Sequence, residues 1–185
     1  LPRSNGLKVS PTSSTRTVLV WDQHWITQPL FVKLSVDGFI GDIDRKLTSE
    51  ALTRSVGVSQ IIENSSADLP SSFKFLRETL AVCPNDSKGY GFLVRPIPRE
   101  VLSDEVDFVP FFALYSRKDG KNSLLARLVS DSGKSAVEFV TENLLAPFAR
   151  QWTQLVVEGG FIPEPHAQNL LLEIDKRGRH TGTFV

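Results

Sequence analysis

Methionine is missing from the chain altogether, even at position 1, and cysteine occurs once, at Cys83. A translated protein ordinarily starts with methionine, so this sequence is expected to be a piece of a longer one. A lone cysteine excludes an internal disulfide framework and a cysteine-based zinc site, and it suits a reducing cytoplasm. Net charge is lacking as well, because 21 Lys and Arg stand against 21 Asp and Glu. No overall field therefore recruits nucleic acid or an anionic membrane, and any anion must be held by a few converging basic residues. No apolar run approaches the length of a membrane span, and the first residues do not form a signal peptide. Histidine is scarce too: the 3 copies are spread over the chain, which argues against a catalytic zinc site.

Several nucleotide and hydrolase signatures are also missing. There is no G-x-x-x-x-G-K-[ST] phosphate loop and no G-x-G-x-x-G dinucleotide turn. Gly89-Tyr90-Gly91 lacks the third glycine and opens a strand rather than a helix. Neither H-E-x-x-H nor G-x-S-x-G occurs. What remains is a chain of 185 residues, long enough for one domain or one and a half with a real core.

In order, residues 1–15 read as a Pro/Ser/Thr/Gly-rich loop. Thr17–Trp21 and Pro29–Val36 are apolar, β-rich runs that predict a hairpin with His24 and Trp25 at its polar tip. Lys33 sits inside the second run. It must snorkel to an edge or meet an anion, since an unpaired buried ammonium is too costly. Thr48 is a plausible N-cap for a helix to about Asn64, with Leu52, Val56 and Ile62 inward. Ser72 is expected to start a shorter helix with Phe73, Leu76 and Leu80 facing in, ended by Pro84. Asn85–Gly89 reads as a turn and Tyr90–Ile97 as a strand carrying Arg95. Pro96, Pro98 and Ser103-Asp104-Glu105 suggest an exposed excursion, and Phe108–Tyr115 a strand or buried loop. Ser116–Lys121 reads as a polar turn.

A helix is predicted over Ser123–Val129. After Gly133, residues Val137, Val140, Leu144, Phe148, Trp152 and Leu155 define one apolar stripe, which Pro147 should kink or divide. Glycines 159 and 160 stop that helix. Leu170–Ile174 makes a strand, Asp175–Arg179 a charged turn with Gly178, and Thr181–Val185 a returning strand. The fold class is α+β, hairpins of antiparallel sheet packed with helices, in a single domain or fragment over 1–185.

Three constellations could do chemistry. Pro11-Thr12-Ser13-Ser14-Thr15-Arg16-Thr17 offers hydroxyls, an arginine and backbone N–H groups, which can cradle a phosphate. On local composition alone, a solvated surface loop is the better reading. Lys33 and Arg45 form a second pair, and for either alone an edge lysine or surface arginine is the simpler explanation. The third lies in the turn between the long helix and the last strands, where Glu164, His166, Gln168 and Asn169 crowd together. A carboxylate can hold Mg²⁺, an imidazole can bond an anionic substrate or move a proton, and an asparagine can fix either. So many such side chains in one turn point to a site. His24 and His180 lack comparable neighbours and are expected to be surface residues.

Taken together, these segments resemble the IucA/IucC family, the siderophore synthetases that work without a peptide-synthetase assembly line. Members carry Pro-Thr-x-Ser-x-Arg-Thr, then a strand with Lys-Leu, then an arginine, and much later Glu-x-His-x-Gln-Asn after a long helix and a glycine. Here those are Pro11–Thr17, Lys33-Leu34, Arg45 and Glu164–Asn169. The resemblance implies the nucleotide-binding central part of a larger, hand-shaped, cytoplasmic synthetase. It implies an ATP-dependent ligase that activates a carboxylate such as citrate as an acyl adenylate and condenses it with an amine or alcohol. By resemblance, Ser14, Arg16 and Lys33 hold the triphosphate, and Arg45 lies between phosphate and substrate carboxylate. Glu164 binds Mg²⁺, His166 contacts the carboxylate and developing adenylate, and Asn169 supports the nucleotide.

The resemblance also implies small-molecule partners only, with no nucleic acid and no membrane, and a homodimer is compatible with it. One departure stands out: many members place threonine four residues before the arginine, where this chain has Gly41. The family's earlier segment, its C-terminal domain and a following Arg-Asp motif are expected in the parent protein. Two other readings remain at this point. In a kinase-like phosphotransferase, His166 and Asn169 would bracket a catalytic loop. Such a loop needs an aspartate base where Ala167 and Gln168 stand. The other is an interaction domain that has lost its chemistry.

Overall fold

The computed structural model describes residues 6–14, 16–21, 26–40, 42–65, 69, 73–84, 90–117 and 121–184. Two compact units emerge, one from Leu1–Asn64 with Leu76–Pro98 and one from Ser65–Phe75 with Arg99–Val185.

In the first unit, runs of β-branched and apolar residues separated by turns give β1 (Val9–Pro11), β2 (Thr17–Val20) and β3 (Leu30–Leu34). A small hairpin of β4 (Phe39–Ile40) and β5 (Ile43–Asp44) follows, then the helix α1 (Ser49–Asn64), β6 (Leu80–Val82) and β7 (Phe92–Pro96). The larger sheet is five-stranded and antiparallel, in the order β1-β2-β3-β7-β6. The expected hairpin is β2–β3, with Thr17 opposite Lys33 and Val20 opposite Leu30. Its tip, with His24 and Trp25, falls outside the described residues, as do Gly41 and the turn 85–89.

Thr48 caps α1 as its position predicts: its Oγ1 accepts from the Ala51 N–H at 3.2 Å. The helix buries Leu52 against Leu47 and Leu93, with Val56, Ala81 and Cys83 packed around them. This packing depends on Gly91. A Cβ there would lie 2.2 Å from Leu52 Cδ1 and 2.7 Å from the Val82 carbonyl. Gly91 is therefore a point of close approach between Leu52 of α1 and the β6–β7 edge of the sheet, where no side chain fits.

The helix expected from Ser72 does not form. Ser72 itself is outside the described residues, and 74–79 run without helical structure into β6. Leu80, expected to face in, is 52% exposed. The spacing of Phe73, Leu76 and Leu80 mimics a helical period, but a helix this short is marginal by itself. Non-local bonds win instead. The Thr79 N–H donates to the Val94 carbonyl at 3.0 Å, and the Glu78 N–H to Ser59 Oγ on α1 at 3.0 Å.

The second unit begins its regular structure at α2 (Arg99–Leu102), a single turn followed by the exposed residues Ser103, Asp104 and Glu105. Next come β8 (Val106–Pro110), a 3-10 turn at Phe111–Ala113 and α3 (Leu124–Ser132), whose N-cap is Ser123. The chain continues through α4 (Ala136–Phe139), a π-helical segment (Val140–Leu145), α5 (Ala146–Val157), β9 (Leu171–Asp175) and β10 (His180–Phe184). The sheet is three-stranded and antiparallel, ordered β10-β9-β8. Its core gathers Leu114, Leu128, Phe139, Leu144, Leu172 and Ile174.

The single stripe predicted after Gly133 is broken in phase. Val137 is 77% exposed while Phe139 is 2% exposed. The cause is the π segment: its i→i+5 bonding, seen in the Ala146 N–H to Thr141 carbonyl bond, inserts an extra residue per turn and rotates the face. The widened turn ends just before Pro147, which takes a first-turn position of α5, where its missing N–H is harmless. Pro147 thus falls where π hydrogen bonding gives way to α within one uninterrupted helical run from Ala136 to Val157.

Candidate functional site

In the first unit, the loop before β2 is folded on its own hydroxyls. Thr12 Oγ1 donates to the Thr17 carbonyl at 2.7 Å and accepts from the Ser14 N–H at 3.1 Å. This turn presents Arg16, whose Nη1 donates to the Arg45 carbonyl at 2.7 Å. Arg45 follows the β4–β5 hairpin, and its Nε is shut off from solvent without a hydrogen-bond partner among the described residues. A buried unsatisfied donor of this kind is rare and calls for an acceptor.

Lys33 on β3 and Arg95 on β7 occupy one face of the sheet, since Phe31 pairs with Arg95 and Lys33 with Leu93. Both reach Glu78 Oε1, Lys33 at 3.5 Å and Arg95 at 2.8 Å. The anion that Lys33 needed is thus Glu78. Burial, together with Arg95 and Arg16, holds the Lys33 ammonium below its ordinary pKa, and Glu78 pulls it back up. Arg16 is likewise lowered by burial first and by Arg45 second, against the opposing pull of Glu78. Lys33 and Arg95 thus meet at Glu78, Arg16 lies close enough to feel that carboxylate, and Arg45 is tied to Arg16 rather than to Glu78. Positive charge remains in surplus there.

In the second unit, Gly160 turns the chain out of α5 at φ 68, and the Phe161 N–H reaches back to the Leu155 carbonyl at 3.0 Å. The following loop is pinned by its backbone. The Phe112 N–H donates to the Ala167 carbonyl at 3.1 Å and the Phe111 N–H to the Leu170 carbonyl at 3.0 Å. Within the loop, the His166 carbonyl accepts from the Asn169 N–H at 2.8 Å. Residues 164–169 are all exposed. His166 Nδ1 accepts from the Gln168 N–H at 3.2 Å, so in the neutral ring the proton sits on Nε2. Asn169 Nδ2 lies 3.5 Å from the Glu164 carbonyl. No hydrogen bond or ion pair engages the Glu164 carboxylate among the described residues.

His180 is not the surface residue the sequence suggested. It is half-buried, edge-on to Phe139 at 5.5 Å, with Nδ1 closed off from solvent and without a hydrogen-bond partner among the described residues. Burial first, and Lys134 second, hold its pKa below the ordinary value. Sequence reading also missed Glu173, 5% exposed on β9, which bonds Lys74 Nζ at 2.5 Å and accepts from Thr181 Oγ1 at 2.9 Å. Glu78 and Glu173 gave no local signal. Each is one acidic residue among many, and its role depends on partners far along the chain.

With this geometry in view, the sequence matches the IucA / IucC family over residues 1–116. The chain belongs to that family. The matched span contains Ser14, Arg16, Lys33, Arg45, Glu78 and Arg95, and ends before Glu164–Asn169. Among solved structures, the petrobactin biosynthesis protein AsbB of Bacillus anthracis str. Sterne shares the fold with a TM-score of 0.73 at 19% identity. That match covers 97% of this chain and 30% of AsbB. The aerobactin synthetase IucC from a hypervirulent pathotype of Klebsiella pneumoniae gives 0.65 at 16% identity, covering 90% of this chain and 31% of the synthetase. The chain thus spans under a third of each, and at such identities the likeness establishes the α+β fold. Comparison with curated proteins returned no match. Among the described residues, no helix of the IucA/IucC chain is long and apolar enough to cross a membrane.

The residues of this family member suit a polyanion. Surplus cations and an orphaned Arg45 Nε are what a triphosphate and a carboxylate would satisfy. For a metal, the described residues contain no cluster of three or more His, Cys, Asp or Glu side chains. A lone carboxylate such as Glu164 fits Mg²⁺ in the mode where substrate phosphates and water supply the remaining ligands.

Proposed function

We propose that this chain is the nucleotide-binding portion of an ATP-dependent siderophore synthetase, a carboxylate–amine or carboxylate–alcohol ligase working in the cytoplasm. The observation that carries the reading is the convergence of Arg16, Lys33 and Arg45 in a chain of the IucA/IucC family. Adenylyl transfer asks for clustered positive charge far more than for a nucleophilic side chain.

In this reading Ser14, Arg16 and Lys33 hold the triphosphate, and Asn169 supports the nucleotide. Glu164 is the residue that would hold Mg²⁺, whose chemistry is to neutralise charge on the phosphates. Arg45 lies between phosphate and the substrate carboxylate. His166 donates from Nε2 to the acid's carboxylate and steadies it as it is adenylated. A carboxylate oxygen bonds to the α-phosphorus, the bond to the bridging oxygen breaks, and pyrophosphate departs. An amine or hydroxyl then attacks the acyl carbon, losing its proton as AMP leaves, to give an amide or ester. Citrate or a related acid is the substrate class.

The test is acid-dependent pyrophosphate release by the full-length protein, scanned over citrate and related acids with candidate amines. Arg16→Ala and His166→Ala should each lower that release by about 10²-fold, the scale of losing one transition-state donor. Release that ignores the acid, or survives both substitutions intact, overturns the reading.

A further inference from the structure

We propose that Glu78 is a positioning residue of this phosphate site, fixing Lys33 and bringing Arg95 into it as an additional cation for the ligand's anionic group. The inference rests on the phosphate-binding reading above and extends it to two residues that reading does not use.

The argument is geometric. Glu78 lies in the extended segment before β6, and its N–H is tied to the buried Ser59 of α1. Its side chain is only 11% exposed, and one oxygen, Oε1, accepts from Arg95 at 2.8 Å and lies 3.5 Å from the Lys33 ammonium. The carboxylate is thus anchored from the helix beneath and clamps cations on two neighbouring strands, β3 and β7. A lysine on a flexible four-carbon stem has a large rotamer space, and a fixed counter-ion removes most of it before the ligand arrives. Arg95 is held by the same atom and adds a planar fork suited to phosphate. One negative charge facing Arg16, Lys33 and Arg95 leaves the cluster cationic, so Glu78 orders the site without neutralising it.

This arrangement also keeps Lys33 charged. The charged groups that act on it are Glu78, Arg95 and Arg16. Removing Glu78 leaves burial and two like charges, all of which drive the ammonium to lose its proton. A scaffold role alone has no such effect.

The experiment compares Glu78→Gln, Glu78→Asp, Arg95→Met and Lys33→Met in the full-length protein. ATP kinetics of acid-dependent pyrophosphate release are measured, together with calorimetric binding of tripolyphosphate. Glu78→Gln should raise KM for ATP about tenfold or more while kcat changes less, as expected when binding is lost uniformly. Its kcat/KM should fall at lower pH on the alkaline side than that of the wild type. Adding Lys33→Arg, whose guanidinium does not titrate in this range, should return the alkaline limb to its wild-type position. Arg95→Met should weaken tripolyphosphate binding about tenfold, and Glu78→Asp should retain part of the affinity.

The proposal is overturned if Lys33→Met weakens tripolyphosphate while Glu78→Gln and Arg95→Met leave affinity and pH profile unchanged. It is equally overturned if the only effect of Glu78→Gln is a lower melting temperature. Should Glu78→Gln fail to fold, Arg95→Met and Glu78→Asp carry the same comparison. If Lys33→Met and Arg16→Met both leave tripolyphosphate and ATP binding intact, the phosphate reading itself fails and this inference falls with it.

Discussion

Arg45 is the residue where burial and chemistry meet most closely. Its carbonyl accepts from Arg16 while its own Nε is closed off without an acceptor among the described residues. A lysine at this position keeps the charge but loses the planar fork and the Nε donor. Arg45→Lys should therefore lower acid-dependent pyrophosphate release by about tenfold or more, with KM for the acid rising. Wild-type kinetics in that variant would remove Arg45 from the site. Gly91 answers to packing alone. Gly91→Ala forces a methyl group into Leu52 and the Val82 carbonyl, and the carbonyl cannot retreat without disturbing the sheet. Overpacking of this kind costs about 1–3 kcal/mol, to be read as a lower midpoint in urea unfolding. In the second unit, Lys74 and Glu173 make a similar point about buried charge. Each satisfies the other, and Glu100 lies 3.3 Å from the same ammonium.

At the scale of elements, the local signals that carry hydrogen-bond logic were readable from sequence. Thr48 caps α1 where its position predicts, and Ser123, read as the first residue of a helix, is instead the N-cap of α3. The runs 17–20 and 30–34 became paired strands because β-branched side chains fit a pleated, half-buried surface. Among the candidate site residues, Arg16 and Arg45 were legible as candidates, and their contact was not, because it spans two loops. The failures share one cause. Phe73, Leu76 and Leu80 have helical spacing, yet β7 was available as a partner and drew residues 80–82 into the sheet. Val137 was placed on the inner stripe, and Phe139 was left off it, because a π turn resets the phase of the helix and no residue type announces one. The π turn also predicts how Pro147 behaves. In a helix interior proline costs about 3 kcal/mol. Here it opens α5, so Pro147→Ala should shift unfolding free energy by less than about 1 kcal/mol. A gain near the full interior cost would show that the helix is strained at that point.

For the whole molecule, charge totals to zero, so pH acts through particular groups and not through net repulsion. His180 has a folded pKa below its ordinary value of 6.5. The unfolded chain therefore binds the proton first, and stability drops as pH falls from about 6.5 toward the folded pKa. Asp175 and Glu100 have depressed carboxyl values. Asp175 is held by the Arg179 backbone N–H and guanidinium, and Glu100 by its own backbone N–H and then Lys74. Their contributions are present above the ordinary carboxylate range and are lost as pH falls through their folded values. Lys74 is raised: burial opposes its charge, but Glu173 and Glu100 together outweigh it, so its contribution persists at neutral pH and fades only in strong alkali. The melting temperature should thus begin to decline as pH falls below about 6.5. His180→Leu should lack that first decline and keep the steeper loss at lower pH. An unchanged profile in the variant would mean that His180 is not what the acid limb reports.

Sequence by itself determined the things that depend on neighbours along the chain: the Thr48 cap, the β-branched runs that make strands, and the resemblance to the IucA/IucC family. Tertiary structure alone decided which charges meet. Lys33, Arg95 and Glu78 come from β3, β7 and the segment before β6, and only the pairing of those strands gives them a common oxygen. Coulombic and hydrogen-bond partnerships act over a few ångströms in space whatever the separation in sequence, so they stay invisible until the backbone is folded.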